Sequence, residues 1–340
     1  MNVLLTSAGR RNYMVEYFKE ALKPYKGKVF AINSDLDSPA LWIADYSAKS
    51  PLIYDNEYEM FLLNYCVENK INVVISLFDI ELPVLSRLKD KFASSAITII
   101  VADTWFTDIA NDKWKTYLFL KENNFEVLPT YQNQFDFLDA FDKGLIDFPV
   151  YIKPRWGMGS ISVFKADNMV ELNFYYEKVK KEIQNTYLKY ESDKDTDNSI
   201  LIQTALKGEE YGLDVINDLN GNYCCTIVKK KLMMRSGETD SAITVNEPVL
   251  EAIGKKLAVL SKHPANMDVD VFFDGTTPSV LEFNPRFGGG YPFSHQAGVN
   301  LPKAIIKWYL NEKIEKELLK PKIGIKSMKG ISIITEENIF

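Results

Sequence analysis

Residues 268–286 read DVDVFFDGTTPSVLEFNPR, two apolar runs joined by a polar turn. The turn, Asp274 to Pro278, has the composition of a hairpin, so the flanking runs are predicted to be paired antiparallel strands. Pairing would set Asp270 beside Glu282, and Glu282 shares a face with Asn284 because residues two apart on a strand point the same way. Two carboxylates and an amide oxygen in this arrangement are typical of a Mg²⁺ site completed by substrate phosphates.

The alternative for this segment is a solvated acidic strand face, but the apolar residues Val280, Leu281 and Phe283 flank the acids. Arg286 follows directly, and Gly288 to Gly290 lets the backbone approach a bound group. An arginine beside metal-bound phosphate balances the charge that develops during phosphoryl transfer. Taken alone, such an arginine is more often the partner in a surface ion pair.

The first hundred residues alternate strand and helix patterns. Strands are predicted at Val3 to Thr6, Lys28 to Ile32, Asn72 to Leu77 and Ile97 to Val101, with helices between them. This alternation predicts a parallel, doubly wound sheet, and such sheets bind ligands beyond the carboxyl ends of their strands. The residues that this places at one edge include Ser7, Gly9, Arg10, Arg11 and Asp79.

A second unit begins near Trp105 and contains a predicted flap. Pro149 to Pro154 is predicted to be a strand, followed by a Gly/Ser-rich loop and the apolar pair Val163-Phe164. The loop is a flap rather than a P-loop, because no helix start follows its glycines and the G-K-[ST] signature is absent. The loop residues of interest are Gly157, Gly159 and Ser160.

Two lysines precede this flap. Lys153 ends the strand before the loop, and Lys113 lies on the preceding predicted helix. Two ammonium groups can neutralise nucleotide phosphates while backbone N–H groups of the loop cover them. Because the chain has 40 lysines and arginines, the position beside the flexible loop is what distinguishes Lys153 from a solvated surface lysine.

Residues 201–215, LIQTALKGEEYGLDV, pass from an apolar strand through a Gly-containing turn into another strand. Such a segment can offer backbone groups to adenine and a carboxylate to ribose, or it can be a hairpin with exposed acids; the pattern favours neither. The strands predicted for one antiparallel sheet are Ser199–Thr204, Tyr211–Asn217, Tyr223–Lys230, Val269–Phe273 and Ser279–Phe283, with helices at Val249–Leu260 and Leu301–Leu310 packed on it.

The composition is that of an ordinary globular protein. With 340 residues, 46% hydrophobic and 25% charged, the chain is expected to form two or three packed units. A net charge of −6 argues against a general nucleic-acid binder. No stretch is long and apolar enough to span a bilayer, and the N-terminus does not read as a signal peptide. Three cysteines without a pairing or zinc pattern favour the reducing cytoplasm.

The order of four features along the chain resembles that of the ATP-grasp superfamily. These are Lys113, the strand ending at Lys153 with its Gly/Ser loop, the 201–215 segment and Glu282-Phe-Asn-Pro-Arg286. Ser236 to Val245 resembles the Gly-Asp-Ser-Ile-Thr-Val stretch of carbamoyl phosphate synthetase large-subunit-like ligases. The resemblance covers nearly the whole chain. It implies an α/β and α+β fold, in which an N-terminal doubly wound parallel sheet (the pre-ATP-grasp domain, 1–104) is followed by a two-subdomain ATP-grasp fold. The flap would lie in the small subdomain (105–198) and the Mg²⁺ site in the C-terminal subdomain (199–340).

The resemblance also implies roles by position. Lys113 and Lys153 would bind ATP phosphates under the flap residues Gly157, Gly159 and Ser160. The adenine-facing hinge would comprise Gln203, Ala205 and Leu206, and Glu210 would hold the ribose. The metal ligands would be Asp270, Glu282 and Asn284.

For catalysis, the resemblance implies that Arg286 stabilises the transferring phosphoryl group, with Arg235 as a second cation. The N-terminal residues Ser7, Gly9, Arg10, Arg11 and Asp79 would help to bind the acceptor or acid substrate. Two departures stand out: Thr204 occupies a hinge position that often carries glutamate, and Asp270 stands where many relatives have glutamate or glutamine.

The function expected from the resemblance is that of an enzyme, a carboxylate–amine ligase. It would use ATP and Mg²⁺ to activate a carboxylate as an acyl phosphate and transfer it to a nucleophile, expected to be an amine. The alternatives are a non-catalytic or regulatory ATP-binding protein and carbamoyl-phosphate-type synthesis, the latter disfavoured because the chain holds one ATP-grasp unit. Small-molecule acid and amine partners are expected, with no nucleic acid or membrane, and dimers are common among such ligases.

Two further enzyme classes are disfavoured by the sequence. An NAD-linked or nucleotide-sugar enzyme would carry G-x-G-x-x-G in its first turn, where this chain has Ser7 to Arg11. A metallohydrolase is disfavoured because His263 and His295 are the only histidines and lack metal-ligand spacing. His263, directly before Pro264, is predicted to be a surface turn residue.

Overall fold

The computed structural model describes residues 1–205 and 208–335, which form three β-sheets with flanking helices. The helices are α1 Asn12–Leu22, α2 Pro39–Ile43, α3 Tyr58–Glu68, α4 Leu82–Ala93, α5 Thr104–Ala110, α6 Lys113–Glu122, α7 Gln134–Asp142, α8 Met169–Gln184, α9 Lys189–Ser192, α10 Pro248–Ser261, α11 Tyr291–Gln296 and α12 Leu301–Tyr309. Short 3₁₀ turns span Lys23–Tyr25, Asp79–Glu81, Thr196–Asn198 and Lys316–Leu319.

The N-terminal sheet is parallel and doubly wound, as predicted. Its strands lie in the order β3-β2-β1-β4-β5. Both faces are buried, one against α1 and α2 and the other against α3 and α4. This explains why the strands read as nearly continuous apolar runs. The strand bounds are β1 Asn2–Thr6, β2 Lys28–Asn33, β3 Tyr46–Lys49, β4 Val73–Ser76 and β5 Thr98–Ile99.

The second sheet is antiparallel, in the order β6-β9-β7-β8, and α7 and α8 contribute to its core. The Gly/Ser loop joins the paired strands β7 and β8, which confirms the predicted strand–loop–strand flap. Strand β9 was expected in the later sheet, but it pairs with β7, with Ile202 opposite Ile152. Its apolar pattern predicts a strand but carries no information on the partner. The bounds are β6 Thr130–Tyr131, β7 Val150–Pro154, β8 Phe164–Ala166 and β9 Ile200–Thr204.

The third sheet is also antiparallel, in the order β14-β13-β10-β11-β12-β15. Helix α10 packs on β10 and β11, while α12 packs on α1 of the N-terminal unit. One apolar core therefore combines the N-terminal sheet with residues such as Phe287, Tyr291 and Ile305. The bounds are β10 Glu209–Asn217, β11 Tyr223–Arg235, β12 Glu238–Val245, β13 Ala265–Phe273, β14 Pro278–Asn284 and β15 Lys326–Met328.

His263 is buried rather than at the surface. Its ring nitrogens lie 2.7 Å from the Ser261 hydroxyl and 3.0 Å from the Val215 carbonyl oxygen. Burial lowers its pKa to about 4, against the opposing effect of the Val215 carbonyl. The prediction was wrong because the residue lies just after the end of α10 and its ring packs against β10 at Val215, which no local sequence pattern indicates.

Within the part of the chain that the structure describes, no helix has the length and apolar character needed to cross a membrane. The cytoplasmic location stays a prediction from the cysteine usage.

Candidate functional site

Strands β13 and β14 pair as the sequence predicted, with Asp270 opposite Glu282 and Asp268 opposite Asn284. The side chains of Asp270 and Glu282 are 20% and 31% exposed, so both reach a solvent-accessible surface without being fully solvated. Burial, with the nearby charges of Asp268 and Glu282, raises the pKa of Asp270 to about 7 against the opposing pull of Lys231. The neighbouring acids therefore disfavour ionisation of Asp270, and a bound cation would favour it.

The two predicted phosphate-binding lysines approach this pair. The Lys113 ammonium lies 3.9 Å from a Glu282 carboxylate oxygen and donates to the carbonyl of Gly157 in the flap. Lys153 is buried and donates to the Gln203 side-chain oxygen at 2.7 Å. Burial, with the neighbouring Lys113 ammonium, lowers the pKa of Lys153 to about 8.

A buried ion pair fixes the positions of both lysines. Asp112 caps α6 by accepting from the Trp114 and Lys115 amides. The same carboxylate accepts two hydrogen bonds from the Arg155 guanidinium, at 2.8 and 2.7 Å. Because Arg155 directly follows β7, this bidentate pair ties the start of α6, where Lys113 lies, to the strand end that carries Lys153.

Lys231 links the predicted ribose and metal residues, and the sequence analysis did not identify it. Its ammonium lies 2.6 Å from both Glu210 and Asp270. Burial acts to lower its pKa, but Asp270 and Glu210 outweigh burial and raise it. A second buried lysine, Lys229, pairs with Asp214. The predicted strand ended at Lys230; extending the alternation by one residue would have put Lys229 and Lys231 on one face.

Arg286 is buried between carboxylates from two parts of the chain. It lies 2.9 Å from Asp268 on β13 and 2.7 Å from Asp79 at the end of β4. Asp79, predicted to serve the substrate, is thus engaged with Arg286 across the interface between the N-terminal and third sheets. The pairing orients the guanidinium toward the acidic end of the β13–β14 pair.

The predicted N-terminal substrate residues are partly engaged in structural contacts. The Ser7 hydroxyl donates to buried Glu81, which also accepts from Thr6, Ser76 and Tyr58. Arg11 donates to the carbonyls of Leu77 and Phe287, at 2.6 and 2.8 Å. The Gly9 amide donates to the Asn33 side chain at 3.3 Å, and Arg10 is exposed.

Two adjoining cavities lie between the sheets. The smaller, of about 110 Å³, and the larger, of about 1380 Å³, share Arg11 and Gly159. Predicted residues lining the smaller cavity are Arg11, Asp79, Lys113, Gly157, Gly159, Asp270, Glu282, Asn284 and Arg286. Predicted residues lining the larger one are Ser7, Gly9, Arg10, Arg11, Gly159 and Arg235.

The remaining predicted residues lie elsewhere. Arg235 was expected beside the transferring phosphoryl group, but it is 59% exposed and pairs with Asp240 in the larger cavity. The lysines that line the smaller cavity beside Arg286 are Lys113, Lys229 and Lys231. Lys153, Ser160, Gln203, Ala205 and Glu210 line neither cavity. Leu206 lies outside the described residues.

The flap covers the smaller cavity and rests on the turn between β11 and β12. A Cβ atom added at Gly237 would lie 2.6 Å from the Gly159 carbonyl carbon, so only glycine permits this contact. On its other side, a Cβ at Gly157 would meet the Leu188 side chain at 2.7 Å. The two glycines therefore permit the close approach of the flap to the Gly237 turn on one side and to the Leu188 side chain on the other.

Comparisons with known proteins agree with this architecture. A family model described as "PylC-like, N-terminal domain" matches residues 3–100, and one described as "ATP-grasp in the biosynthetic pathway with Ter operon" matches residues 196–331. The chain is therefore similar to ATP-grasp proteins over residues 196–331. This confirms the resemblance stated from the sequence, and the three-sheet architecture confirms the expected fold.

The individual relatives of this chain are distant in sequence. The carbamoyl phosphate synthase large chain of Helicobacter pylori is 24% identical over 321 residues, covering 90% of this chain and 28% of that protein. The chain thus spans less than a third of its curated relative. A sequence identity of 24% over this part of the relative does not show that the two proteins share an activity.

Two solved structures have the same fold. The biotin carboxylase domain of Hydrogenobacter thermophilus 2-oxoglutarate carboxylase, in complex with MgADP, ADP and bicarbonate, has a TM-score of 0.71 at 16% identity, covering 92% of this chain and 70% of that one. The L-amino acid ligase of Bacillus licheniformis has a TM-score of 0.65 at 17% identity, covering 94% and 77%. At these identities the likeness establishes the ATP-grasp fold.

Proposed function

We propose that the protein is an ATP- and Mg²⁺-dependent ligase that activates a carboxylate as an acyl phosphate and transfers the acyl group to an amine. The observation that carries this proposal is one cavity lined by Asp270, Glu282, Asn284, Lys113 and Arg286. Hard oxygen ligands and cations on one surface are what phosphoryl transfer requires. The structural relatives with this fold include one solved with MgADP and one named a ligase.

The residues fit a magnesium ion that is shared with a nucleotide. Among residues 1–205 and 208–335, no group of three His, Cys, Asp or Glu side chains could hold a metal without help. Mg²⁺ is usually bound by one or two carboxylates plus substrate phosphates, so Asp270 and Glu282 with the Asn284 amide are a sufficient set. When bound, the ion supplies charge neutralisation at the phosphates.

The chain's own residues have distinct tasks in this proposal. Lys113 and Lys153 bind the phosphates, and Arg286, oriented by its two carboxylates, neutralises charge on the transferring group. Gln203 and Ala205 face the adenine, and the Glu210 carboxylate binds the ribose once it is released from its ion pair with Lys231. The closed flap excludes water, which would otherwise hydrolyse an acyl phosphate. The acceptor and the acid enter through the larger cavity.

Activation of the carboxylate is chemically necessary because its oxide is a poor leaving group, whereas phosphate is a good one. The acid-dependent step is therefore separable from amine transfer. Hydroxylamine, a small nucleophile that is uncharged in mildly alkaline buffer, intercepts acyl phosphates as hydroxamates. It tests the proposed activation without knowledge of the natural amine.

The test is a panel of amino acids and small carboxylic acids incubated with ATP, Mg²⁺ and hydroxylamine. We expect one acid class to give hydroxamate and ADP in equal amounts. Glu282→Ala should reduce this by at least about a hundredfold, because charge-stabilising groups at the reacting phosphoryl carry much of the rate. Glu315→Gln, which removes an exposed partner of Lys307, is the control. ATP binding without any acid-dependent ADP would instead support the regulatory alternative.

A further inference from the structure

We propose that Glu238 binds the ammonium group of the amine substrate at the neck between the two cavities. The inference rests on the proposed ligase function and deepens it, because it names the charge of the group that enters from the larger cavity. It identifies the nucleophilic substrate as a primary amine with a bulky body rather than as an alcohol, a thiol or ammonia.

The position of Glu238 is the first support. It begins β12, directly after the turn on which the flap rests. Among the carboxylates of the described chain that line these cavities, Glu238 is the one common to both. A molecule reaching the smaller cavity from the larger one passes this side chain, Arg11 and Met158.

The second support is its closeness to the reacting groups. A Cβ atom added at Gly289 would lie 3.4 Å from the Glu238 carboxyl carbon, so this carboxylate lies against the glycine turn that follows Arg286. Burial acts to raise the pKa of Glu238, but Lys329, Arg11 and Arg286 together lower it below its usual value. Glu238 is thus ionised at neutral pH, as an ammonium-binding group must be.

The third support is an alkylammonium group of the protein itself that forms an ion pair with this carboxylate. The Lys329 ammonium lies 2.9 Å from Glu238, and the Lys329 backbone amide donates to the Asp240 carbonyl just after β15. Glu238 is 53% exposed in this pair, so the contact is open to exchange. Lys329 therefore occupies the position of the substrate ammonium and must be displaced when the amine binds.

The larger cavity indicates the body of the amine. Its volume of about 1380 Å³ exceeds what a small amine fills, and aromatic side chains contribute much of the lining. The Tyr13 hydroxyl finds no hydrogen-bond partner within residues 1–205 and 208–335, although it is buried. These features suit a large, partly apolar molecule with a polar group near Tyr13. The aromatic residues are Tyr13, Tyr17, Trp42, Tyr54, Phe78, Tyr187, Tyr190 and Phe293.

The experiment compares amines that bind as ammonium ions, and lose a proton to solvent before they attack, with uncharged hydroxylamine on the same acyl phosphate. With the acid found by hydroxamate formation, turnover is measured with hydroxylamine and with methylamine, phenethylamine, tyramine and L-phenylalanine. Glu238→Gln should raise the KM of the accepted amine by about tenfold or more, which is one ionic contact, and leave hydroxylamine turnover and the KM of ATP unchanged. Lys329→Gln should lower the amine KM, and Glu315→Gln should change neither.

The outcomes separate the two proposals. Absence of hydroxamate formation by the unaltered protein contradicts the ligase function. Hydroxamate formation without use of any amine, or with an unchanged amine KM in Glu238→Gln, overturns the assignment of Glu238 alone. If Glu238→Gln fails a circular-dichroism check of folding, Lys329→Gln decides: an unchanged amine KM means that the pair is purely structural and overturns the inference.

Discussion

At the scale of single residues, the site depends on charges held in surroundings that disfavour them. Lys153 is buried next to another ammonium, and Asp270 is buried next to two other acids. Each is destabilised in the free protein and would be relieved by the opposite charge of a nucleotide or a metal ion. Two groups with perturbed pKa values beside one cavity are a common mark of a functional site.

Lys153 gives a prediction about proton uptake. Its pKa of about 8, compared with an ordinary 10.5, means that between these two values the free protein holds it mostly neutral. Bound phosphates would restore the ammonium, so MgADP binding in this pH range should take up a proton. Calorimetry in two buffers of different ionisation enthalpy measures the uptake. Lys153→Met should abolish it, and Lys165→Met, at an exposed lysine on β8, should preserve it; equal uptake in both variants would contradict the assignment.

His263 gives a prediction about acid stability. Its pKa of about 4 in the folded protein lies below the ordinary 6.5, so the unfolded chain binds the extra proton between these values. Stability therefore falls as pH decreases from 6.5 to 4, by about 3 kcal/mol from this group. Urea unfolding across this range should show the loss. His263→Gln should be less stable at neutral pH but have a smaller slope; an unchanged slope would show that other groups govern it.

At the scale of secondary-structure elements, the flap between β7 and β8 and the turn between β11 and β12 form one closing surface. Lys113 holds the flap through the Gly157 carbonyl, and the Gly159 backbone rests against Gly237. The elements that carry the proposed phosphate-binding residues are thus also those that form the closing surface. Closure and phosphate binding are expected to occur together.

Gly237→Ala should uncouple ATP use from transfer. The added methyl group would collide with the Gly159 backbone at a position with φ of +78°, so the flap cannot seat. Water would then reach the acyl phosphate, and the ratio of ADP to hydroxamate should rise severalfold. The control is Gly324→Ala, which has a similar φ of +82° and no neighbouring atom within 4 Å. An unchanged ratio in Gly237→Ala would mean that this contact does not control water access.

At the scale of the whole molecule, the N-terminal sheet and the third sheet share both a core and a buried ion pair. Apolar residues from β1, α1 and α12 pack in a single cluster with Phe287 and Tyr291. The Asp79–Arg286 pair crosses the same interface, 207 positions apart in the chain. The N-terminal unit is therefore part of the site's framework, and we expect it to unfold together with the rest.

Asp79→Asn tests this coupling. Removing one partner of a buried pair leaves a charge partly uncompensated, which costs about 3 kcal/mol, the lower end of the usual range because Asp268 still pairs with Arg286. Urea unfolding followed by two probes should show one coincident, shifted transition and a large loss of hydroxamate formation. The control Asp108→Asn removes an exposed pair with Arg87 and should cost less than about 1 kcal/mol. Two separate transitions would show that the units are independent.

Features that depend on neighbours in the chain were predicted well. The Asp270–Glu282 pairing follows from a short hairpin, the flap from a strand followed by a Gly/Ser-rich loop, and the parallel sheet from the regular alternation of apolar runs. In each case one local pattern specifies both the backbone conformation and the direction of the side chains. Burial of the apolar face then fixes which side chains point away from the core.

Features that join distant segments could not be read in this way. Four features depend on how the three sheets and their helices pack together. They are the ion pair of Asp79 with Arg286, the contacts of Lys231 with Glu210 and Asp270, the partner strand of β9 and the burial of His263. A charged side chain carries no periodic signal for its partner, because ion pairing is set by the final distance between segments and not by spacing along the chain. Local apolar periodicity was therefore enough to define the elements and the acidic hairpin of β13 and β14, whereas packing of the three sheets was needed to set the charges around that hairpin.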